Sequence, residues 1–242
     1  EIDAAPAAGG IACVRGREGG EPVQDGIASL RMFYELGVRV FGLTWNQRNL
    51  LAEGIGEARA GGGLTELGRE MVAEANRLGI LLDASHLSVK SFWDLIEIST
   101  RPVIASHSNA TALCAHPRNI DDEQIRAIVA SGGVIGVNAV AKFIADDPAE
   151  ASIDRMLDHL DHIVSVAGVE NVALGPDFVD YLRTGPDAPF DDAPGIAPTG
   201  FATITDLPDV TAGLLTRGYD EAAVRGILGG NMLRLLDTVM AG

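Results

Sequence analysis

Short apolar, β-branched runs alternate with amphipathic helical segments along this chain. Such alternation is typical of βα units, in which helices cover a parallel sheet. The candidate strands are Ile11–Val14, Val38–Leu43, Ile80–Asp83, Val103–Ala105, Val134–Asn138 and Val172–Leu174. The pattern therefore predicts an α/β fold built on a parallel sheet.

Start and stop signals delimit the helices between these strands. Thr65 can cap a helix that ends at Gly79, and Pro102 excludes the continuation of the helix that begins at Ser88. The other predicted helices are Asp25–Leu36, Ile153–Ala167 and those that begin at Asp121, Asp220 and Asn231.

The number of candidate strands bears on how the sheet closes. A chain of 242 residues fits one domain, and a closed (β/α)8 barrel of the TIM type needs two strands more than these six. An open sheet edge is a liability. We therefore expect residues 1–242 to form a single barrel domain that is incomplete at its N-terminus, with the first one or two βα units upstream. The alternative is that a separate or swapped segment closes the barrel.

Charge and composition exclude several classes of partner. The net charge of −16 argues against nucleic acid, since phosphate binding relies on basic patches. No apolar run is long enough to predict a membrane span. The two cysteines, Cys13 and Cys114, suggest no disulfide framework. A reducing compartment is the simpler interpretation, so we expect a cytoplasmic location, as in a bacterial protein.

Three candidate strands lead directly to side chains of the metal-ligand type. Glu18 follows IACVRGR, His86 follows ILLDAS and His107 follows PVIAS. Parallel strands place such residues at one mouth of a (β/α) barrel, where these folds keep their chemistry. The pattern predicts a hydrolytic metal site. The Pro-, Gly- and Asp-rich stretch Thr184–Gly200 is too long for a simple connection, so we interpret it as a loop over that mouth.

The order of motifs resembles the membrane (renal) dipeptidase family, the M19 metallopeptidases of the amidohydrolase superfamily. The matching stretches are EGG at Glu18–Gly20, LTWN at Leu43–Asn46, GREMVAEANRLGILLDASHLS at Gly68–Ser88, PVIASHSNATALCAHPRNI at Pro102–Ile120, GVNAV at Gly136–Val140, LGPDF at Leu174–Phe178 and GGNMLRLL at Gly229–Leu236. They cover nearly the whole chain in collinear order. No single stretch is diagnostic, but the ordered set is specific.

The resemblance implies a zinc-dependent dipeptidase that hydrolyses a small dipeptide with metal-activated water. It implies that Glu18 bridges two Zn²⁺ ions, and that His86 and His107 complete the second metal site. Arg118 matches the arginine that holds the terminal carboxylate of the dipeptide, and Asp177 matches the aspartate that shuttles a proton. The resemblance further implies one or two Zn²⁺ here and a homodimer. These residue types suit the chemistry, since zinc takes imidazole and carboxylate ligands and arginine matches a carboxylate with two donors.

Two departures from the family pattern leave alternatives open. The family's first metal site uses a His-x-Asp pair, and the literal His159–Asp161 lies in a helical pattern, so we reject it as that pair. Trp45 stands where many relatives have histidine, and Trp45 and Asn46 are candidate substrate contacts.

Asp83 is a candidate partner that orients a ligand histidine. Another amide or lactone hydrolase, or an impaired barrel that only binds, stays possible.

Overall fold

The structure is a computed structural model, and it describes residues 9–178 and 197–240. Its contacts divide the chain into two compact units, one ending at Arg101 and the other beginning at Pro102. In each unit parallel strands alternate with helices, so the sequence pattern of βα units is confirmed.

The first unit contains a three-stranded parallel arrangement. Its elements are β1 (Arg15–Arg17), α1 (Ile27–Glu35), β2 (Val38–Gly42), α2 (Glu66–Leu78), β3 (Leu81–Asp83) and α3 (Val89–Ile98). Strand β2 lies between β1 and β3, and Gly42 at its end is level with Asp83 at the end of β3. All three strands run in one direction, so the residues that follow them emerge at the same edge.

The second unit continues the alternation with more helices. Its elements are β4 (Val103–Ile104), α4 (Asp122–Ala130), β5 (Ile135–Val137), α5 (Ala141–Ile144), α6 (Ile153–Ala167), β6 (Val172–Leu174), α7 (Leu207–Thr216), α8 (Glu221–Arg225) and α9 (Asn231–Met240). Strands β5 and β6 pair in parallel. A parallel bridge joins Ala105, just after β4, to Ile135 in β5.

Apolar residues of the strands and inner helix faces form the core. Phe41 and Leu81 in the first unit, and Ile135 and Val172 in the second, are fully buried. Burial of such side chains stabilises a fold by roughly 1.5–3 kcal/mol each. The strands are therefore anchored by their own side chains, which holds the residues after them in fixed positions.

Five of the six candidate strands are confirmed with boundaries within one residue, but the first one is wrong. The strand lies at Arg15–Arg17 and not at Ile11–Val14, and Ile11 is 91% exposed. Arg15 and Arg17 stand opposite Val38 and Phe41 of β2. Pairing with β2 therefore determines where this strand lies, whereas the apolar character of the sequence predicts a position that is too early in the chain.

The predicted helix starts are largely confirmed. Thr65, Ser88, Asp121 and Asp220 each accept a hydrogen bond from the backbone N–H three residues later, as N-caps do. The first helix differs, since it begins after Gly26, which has no side chain to cap it.

Of the predicted loop Thr184–Gly200, residues 184–196 lie outside the described residues. Its last part is described, and there Thr199 forms a parallel bridge with Ser152, the N-cap of α6. Among the helices of the described ranges, none combines the length and apolar character that a membrane crossing requires.

Candidate metal centre

Polar side chains follow the strands in both units. The residues after β1, β2 and β3 include Glu18, Trp45, Asn46 and His86, and Asp83 ends β3. The residues after β4, β5 and β6 include His107, Asn138 and Asp177. Because reactive groups of (β/α) folds lie at the carboxyl ends of strands, these positions are the candidate functional residues of each unit.

Glu18 and His86 contact each other directly in the first unit. Glu18 Oε1 lies 2.5 Å from His86 Nε2, and the histidine side chain is 8% exposed whereas the carboxylate is 45% exposed. The imidazole is therefore held inside the protein, and the carboxylate reaches it from a more open position.

The backbone at His86 is held in an unusual conformation. His86 has φ of 72°, a left-handed value that is uncommon for a residue other than glycine. Its carbonyl accepts a hydrogen bond of 2.8 Å from Ile55 N–H, and Ser88 N–H donates to Glu53 across 3.0 Å. The loop after β2 thus fixes the segment that carries the imidazole.

Asn46 and Trp45 contact the same imidazole from the end of β2. Asn46 Oδ1 lies 2.8 Å from His86 Nδ1. The ring centroid of Trp45 lies 6.0 Å from that of His86. Sequence reasoning proposed both residues as substrate contacts and did not foresee the hydrogen bond, since residues 46 and 86 are 40 positions apart.

Asp83 is buried at the end of β3, and its Oδ1 accepts a hydrogen bond of 3.0 Å from Ser85 N–H. This contact shapes the turn that leads to His86. The role predicted for Asp83, orientation of a ligand histidine, stays a prediction, and at His86 Nδ1 the partner described is Asn46.

In the second unit, His107 and Arg118 lie together. His107 Nδ1 lies 2.7 Å from Ser106 Oγ, and Arg118 Nη2 donates to the His107 carbonyl across 3.4 Å. Arg118 is 7% exposed, and its Cζ lies 5.5 Å from the centre of the Phe143 ring. The position of Arg118 after Pro117 would suggest a solvated residue in a loop. Its guanidinium is instead held inside the protein.

Further positive charge surrounds this arginine. Burial, followed by the charges of Lys142 and Arg118, lowers the pKa of His116 to about 4. The His116 ring packs 4.6 Å from the Phe143 ring. His116 is therefore neutral at neutral pH, and the local charge comes from the lysine and the arginine.

Asp177 also has a left-handed backbone, with φ of 61°. Asn138 Nδ2 lies 3.5 Å from Asp177 Oδ2, and Asn138 N–H donates to Asn109 Oδ1 across 3.0 Å. Both asparagines are fully buried. A chain of buried amides thus leads to the carboxylate that sequence reasoning assigned to proton transfer.

In the first unit, Glu18 and His86 offer a carboxylate oxygen and an imidazole nitrogen side by side, and in the second unit His107 offers another imidazole. Imidazoles and carboxylates are donors that zinc accepts, and catalytic zinc sites keep a further position for water or substrate. The donor types fit a zinc ion.

His159 and Asp161 both form hydrogen bonds that hold the protein together. His159 is fully buried, its Nδ1 accepts from Ala110 N–H across 3.1 Å, and its Nε2 donates to the Ile144 carbonyl across 3.0 Å. Asp161 accepts hydrogen bonds from Arg217 and Tyr219. Both ring nitrogens of His159 thus bond to the backbone, which agrees with its rejection as a ligand pair.

The profile of the membrane dipeptidase family, peptidase family M19, matches residues 1–241. A Klebsiella pneumoniae protein described as an uncharacterized protein in the pqqA 5′ region is 35% identical over 218 residues, which are 87% of this chain and 75% of that protein.

Solved structures of related proteins superpose closely. One is a metallopeptidase from Rhodobacter sphaeroides liganded with a phosphinate mimic of the dipeptide L-Ala-D-Ala, with 35% identity and a TM-score of 0.83 over 96% of this chain. The chain spans 64% of the length of that protein. Another is an amidohydrolase from Pseudomonas aeruginosa, with 30% identity and a TM-score of 0.89, covering 99% of this chain and 76% of that one.

These neighbours confirm the predicted TIM-barrel fold class. They also confirm the resemblance inferred from the ordered motifs, since the family profile spans nearly the whole chain. This chain belongs to the membrane dipeptidase family, the M19 metallopeptidases.

Proposed function

We propose that this chain acts as a zinc-dependent dipeptidase. The observation that carries the proposal is the contact of Glu18 Oε1 with His86 Nε2 across 2.5 Å, and His107 is proposed to complete the ligand set. Zinc bound to such a set supplies a Lewis acid and lowers the pKa of a coordinated water to about 7. We propose one or two Zn²⁺ in this chain, with Glu18 as the carboxylate able to reach two ions.

Arg118 is the proposed anchor for the terminal carboxylate of a dipeptide. Its guanidinium is buried, and Lys142 lies near the same Phe143 ring. The planar fork of arginine matches a carboxylate with two parallel donors. An anchor at a fixed position selects substrates by length, which favours dipeptides over longer peptides. A phosphinate mimic of L-Ala-D-Ala bound to a relative supports this substrate class.

Asp177 is the proposed proton carrier. A carboxylate near the reacting water can accept its proton and later donate it to the leaving amine, a contribution of typically about 10²–10⁴ in rate. The contact with Asn138 supports this role because it gives the carboxylate a buried, polar neighbour. Trp45 is proposed to form an apolar wall against the substrate, supported by its packing beside His86.

The experiment combines metal analysis with a substrate panel. We expect purified protein to retain zinc through gel filtration and to cleave dipeptides with L- or D-residues at the C-terminal position. Glu18→Gln and His107→Asn should lose zinc and activity together. His162→Asn is the matched control, because His162 pairs with Asp122 on the helices.

The same panel separates the alternatives. Cleavage of N-acyl amino acids or lactones without dipeptide cleavage would replace the dipeptidase by another hydrolase of this superfamily, an option that the amidohydrolase neighbour favours. Zinc retention without turnover of any of these substrates would indicate a protein that only binds.

We also propose a homodimer and a cytoplasmic location. Light scattering coupled to gel filtration tests the first, since a monomer of this chain has a mass of 25.3 kDa. The free Cys13 and Cys114 support a reducing compartment, and fractionation of the source cells tests that location.

A further inference from the structure

We propose that Asn46 is a positioning residue that holds His86 with Nε2 directed at the metal. This inference rests on the proposed function, since it concerns the metal ligand of that site. It replaces the substrate contact predicted for Asn46.

The two ring nitrogens of His86 face different partners. Nδ1 lies 2.8 Å from Asn46 Oδ1, and Nε2 lies 2.5 Å from Glu18 Oε1. The imidazole itself is 8% exposed. Rotation of the ring about its bond to the chain would break both contacts, so the pair of neighbours defines one orientation.

The chemistry of metal binding requires this arrangement of protons. A nitrogen that coordinates zinc must present its lone pair, so the single proton of the neutral ring lies on the other nitrogen. Asn46 Oδ1 is an acceptor at that position and can receive a hydrogen bond only from the Nδ1–H form. Asn46 therefore favours the tautomer in which Nε2 is the ligand.

The loop after β2 fixes both members of this contact. Gly56 N–H donates to the Asn46 carbonyl across 2.8 Å, and Ile55 N–H donates to the His86 carbonyl across 2.8 Å. A Cβ at Gly54 would lie 2.4 Å from the carbonyl oxygens of Trp45 and Asn46, so the backbones pack without space for a side chain. Three consecutive residues thus set the distance between the amide and the imidazole.

Variants of Asn46 test the proposal through zinc affinity, measured by competition with a chromophoric chelator and so without any substrate. Asn46→Ala should weaken zinc binding by roughly 10–100-fold, the usual effect of removing a partner of a ligand histidine. Asn46→Asp should keep affinity within about threefold of wild type or improve it, because a carboxylate oxygen accepts the same hydrogen bond.

Asn49→Ala is the matched control in the same loop. Asn49 donates to the Leu43 carbonyl across 2.8 Å and accepts from the N–H groups of Leu51 and Ala52, so it stabilises the same loop through other contacts. This variant should lower thermal stability and leave zinc affinity within about threefold. A second readout is ¹⁵N NMR of the five histidines, in which Asn46→Ala should shift or broaden the Nδ1–H signal of His86 in the zinc-loaded protein.

Equal zinc affinities of wild type and Asn46→Ala would overturn the inference, as would an increase in KM without a change in metal affinity, which indicates a substrate contact. Equal losses in Asn46→Ala and Asn49→Ala would also overturn it, since the effect would then come from the loop. If wild type binds zinc but cleaves no dipeptide, the proposed function fails while the affinity comparison still decides the role of Asn46.

Discussion

At the scale of single residues, backbone conformation marks the candidate site. Among non-glycine residues in the described ranges, positive φ occurs at His86 and Asp177. Such conformations cost roughly 1–3 kcal/mol and persist where the surroundings enforce them. Both residues follow a strand and both were proposed from the sequence as functional. The unusual backbone conformation thus coincides with two of the proposed site residues.

Asp177→Asn should separate stability from catalysis. Asparagine tolerates the left-handed region well, and it keeps the shape of the side chain next to Asn138. We expect the free energy of unfolding to change by less than about 0.5 kcal/mol, and kcat for dipeptide cleavage to fall by about 10²–10⁴-fold because the amide cannot carry the proton. Urea unfolding and steady-state kinetics measure both. Activity within a fewfold of wild type would exclude Asp177 as the proton carrier.

His159 should make stability depend on pH. Burial lowers its pKa, and its two ring nitrogens are bonded as those of a neutral imidazole. The unfolded histidine takes up a proton below pH about 6.5, whereas the folded one does not until its lower pKa is reached. The unfolded state therefore binds more protons in that window, so stability is complete above pH 6.5 and decreases as the pH falls below it.

The measurement is urea unfolding of wild type and His159→Gln from pH 8 to pH 5, with a chelator present to remove metal. The variant should be less stable at pH 8, because it loses buried hydrogen bonds, but its stability should fall less steeply below pH 6.5. Parallel pH profiles would contradict a neutral buried His159.

At the scale of elements, the helix ends were predictable and the first strand was not. A cap is a local contact, such as Thr65 with Gly68 N–H, so residues three positions apart reveal it. Strand β1 depends on its register with β2, in which Arg15 stands opposite Val38. Its arginine side chains also bond to the backbone, Arg15 to the Leu36 carbonyl and Arg17 to the Gly19 carbonyl. Contacts of this kind leave no apolar pattern.

Replacement of Gly68 in α2 by alanine should destabilise the protein, although alanine usually stabilises a helix. Alanine normally favours a helix by roughly 1 kcal/mol over glycine. A Cβ at Gly68, however, would lie 2.1 Å from the Leu51 carbonyl oxygen, which also accepts a hydrogen bond of 2.9 Å from Thr65 N–H. We expect Gly68→Ala to lower the free energy of unfolding by about 1–3 kcal/mol, as overpacking does.

Gly213→Ala in α7 is the control for this prediction, with chemical denaturation as the measurement. The nearest atom to a Cβ there is Leu157 Cδ1, the flexible end of a side chain that can move. This variant should stay within about 1 kcal/mol of wild type. A Gly68→Ala protein as stable as wild type would mean that α2 does not pack against Leu51 as described.

Glu74 joins α1 to α2 through two arginines. It accepts from Arg77 at 2.7 and 2.9 Å and from Arg31 at 2.6 Å. Hydrogen bonds from Arg77, then from Arg31, lower the pKa of Glu74 to about 2. A carboxyl whose pKa is lowered on folding stabilises the fold above its unfolded pKa near 4.3, and that contribution disappears as the pH falls towards 2.

Glu74→Gln should therefore lower the free energy of unfolding by about 1 kcal/mol at pH 7, a modest value because both arginines are largely solvated. The difference from wild type should shrink below pH 4.3. Glu70→Gln, an exposed position on the same helix, makes the same charge change without an ion pair in the described part of the chain. A difference that persists at pH 3 would contradict the ion pairs as its source.

At the scale of the whole molecule, the sequence could predict which candidate site residues follow strands but not all of their contacts. Glu18 and His86 follow parallel strands of one sheet, and such strands share the edge at which they end. That rule needs only the order of elements. The contact between Asn46 and His86 depends on how a loop of irregular backbone packs, and no periodicity encodes that packing. The neighbours of His86 are therefore set by tertiary packing and not by a local sequence pattern.

The excess of acidic residues should make stability increase with salt. The chain has 34 acidic and 18 basic side chains, for a net charge of −16 at pH 7. Such an excess repels itself in the compact state. Salt shortens the screening length from about 30 Å at 0.01 M to about 10 Å at 0.1 M. We expect Tm to rise by several degrees over this range at pH 7 with a chelator present, measured by calorimetry.

Sodium and potassium chloride should act alike, since screening does not distinguish them, whereas a rise with only one of them would indicate a specific ion site. Near pH 4.5, where the net charge approaches zero, the same salt series should leave Tm almost unchanged, and an equal rise there would show that charge repulsion is not the cause.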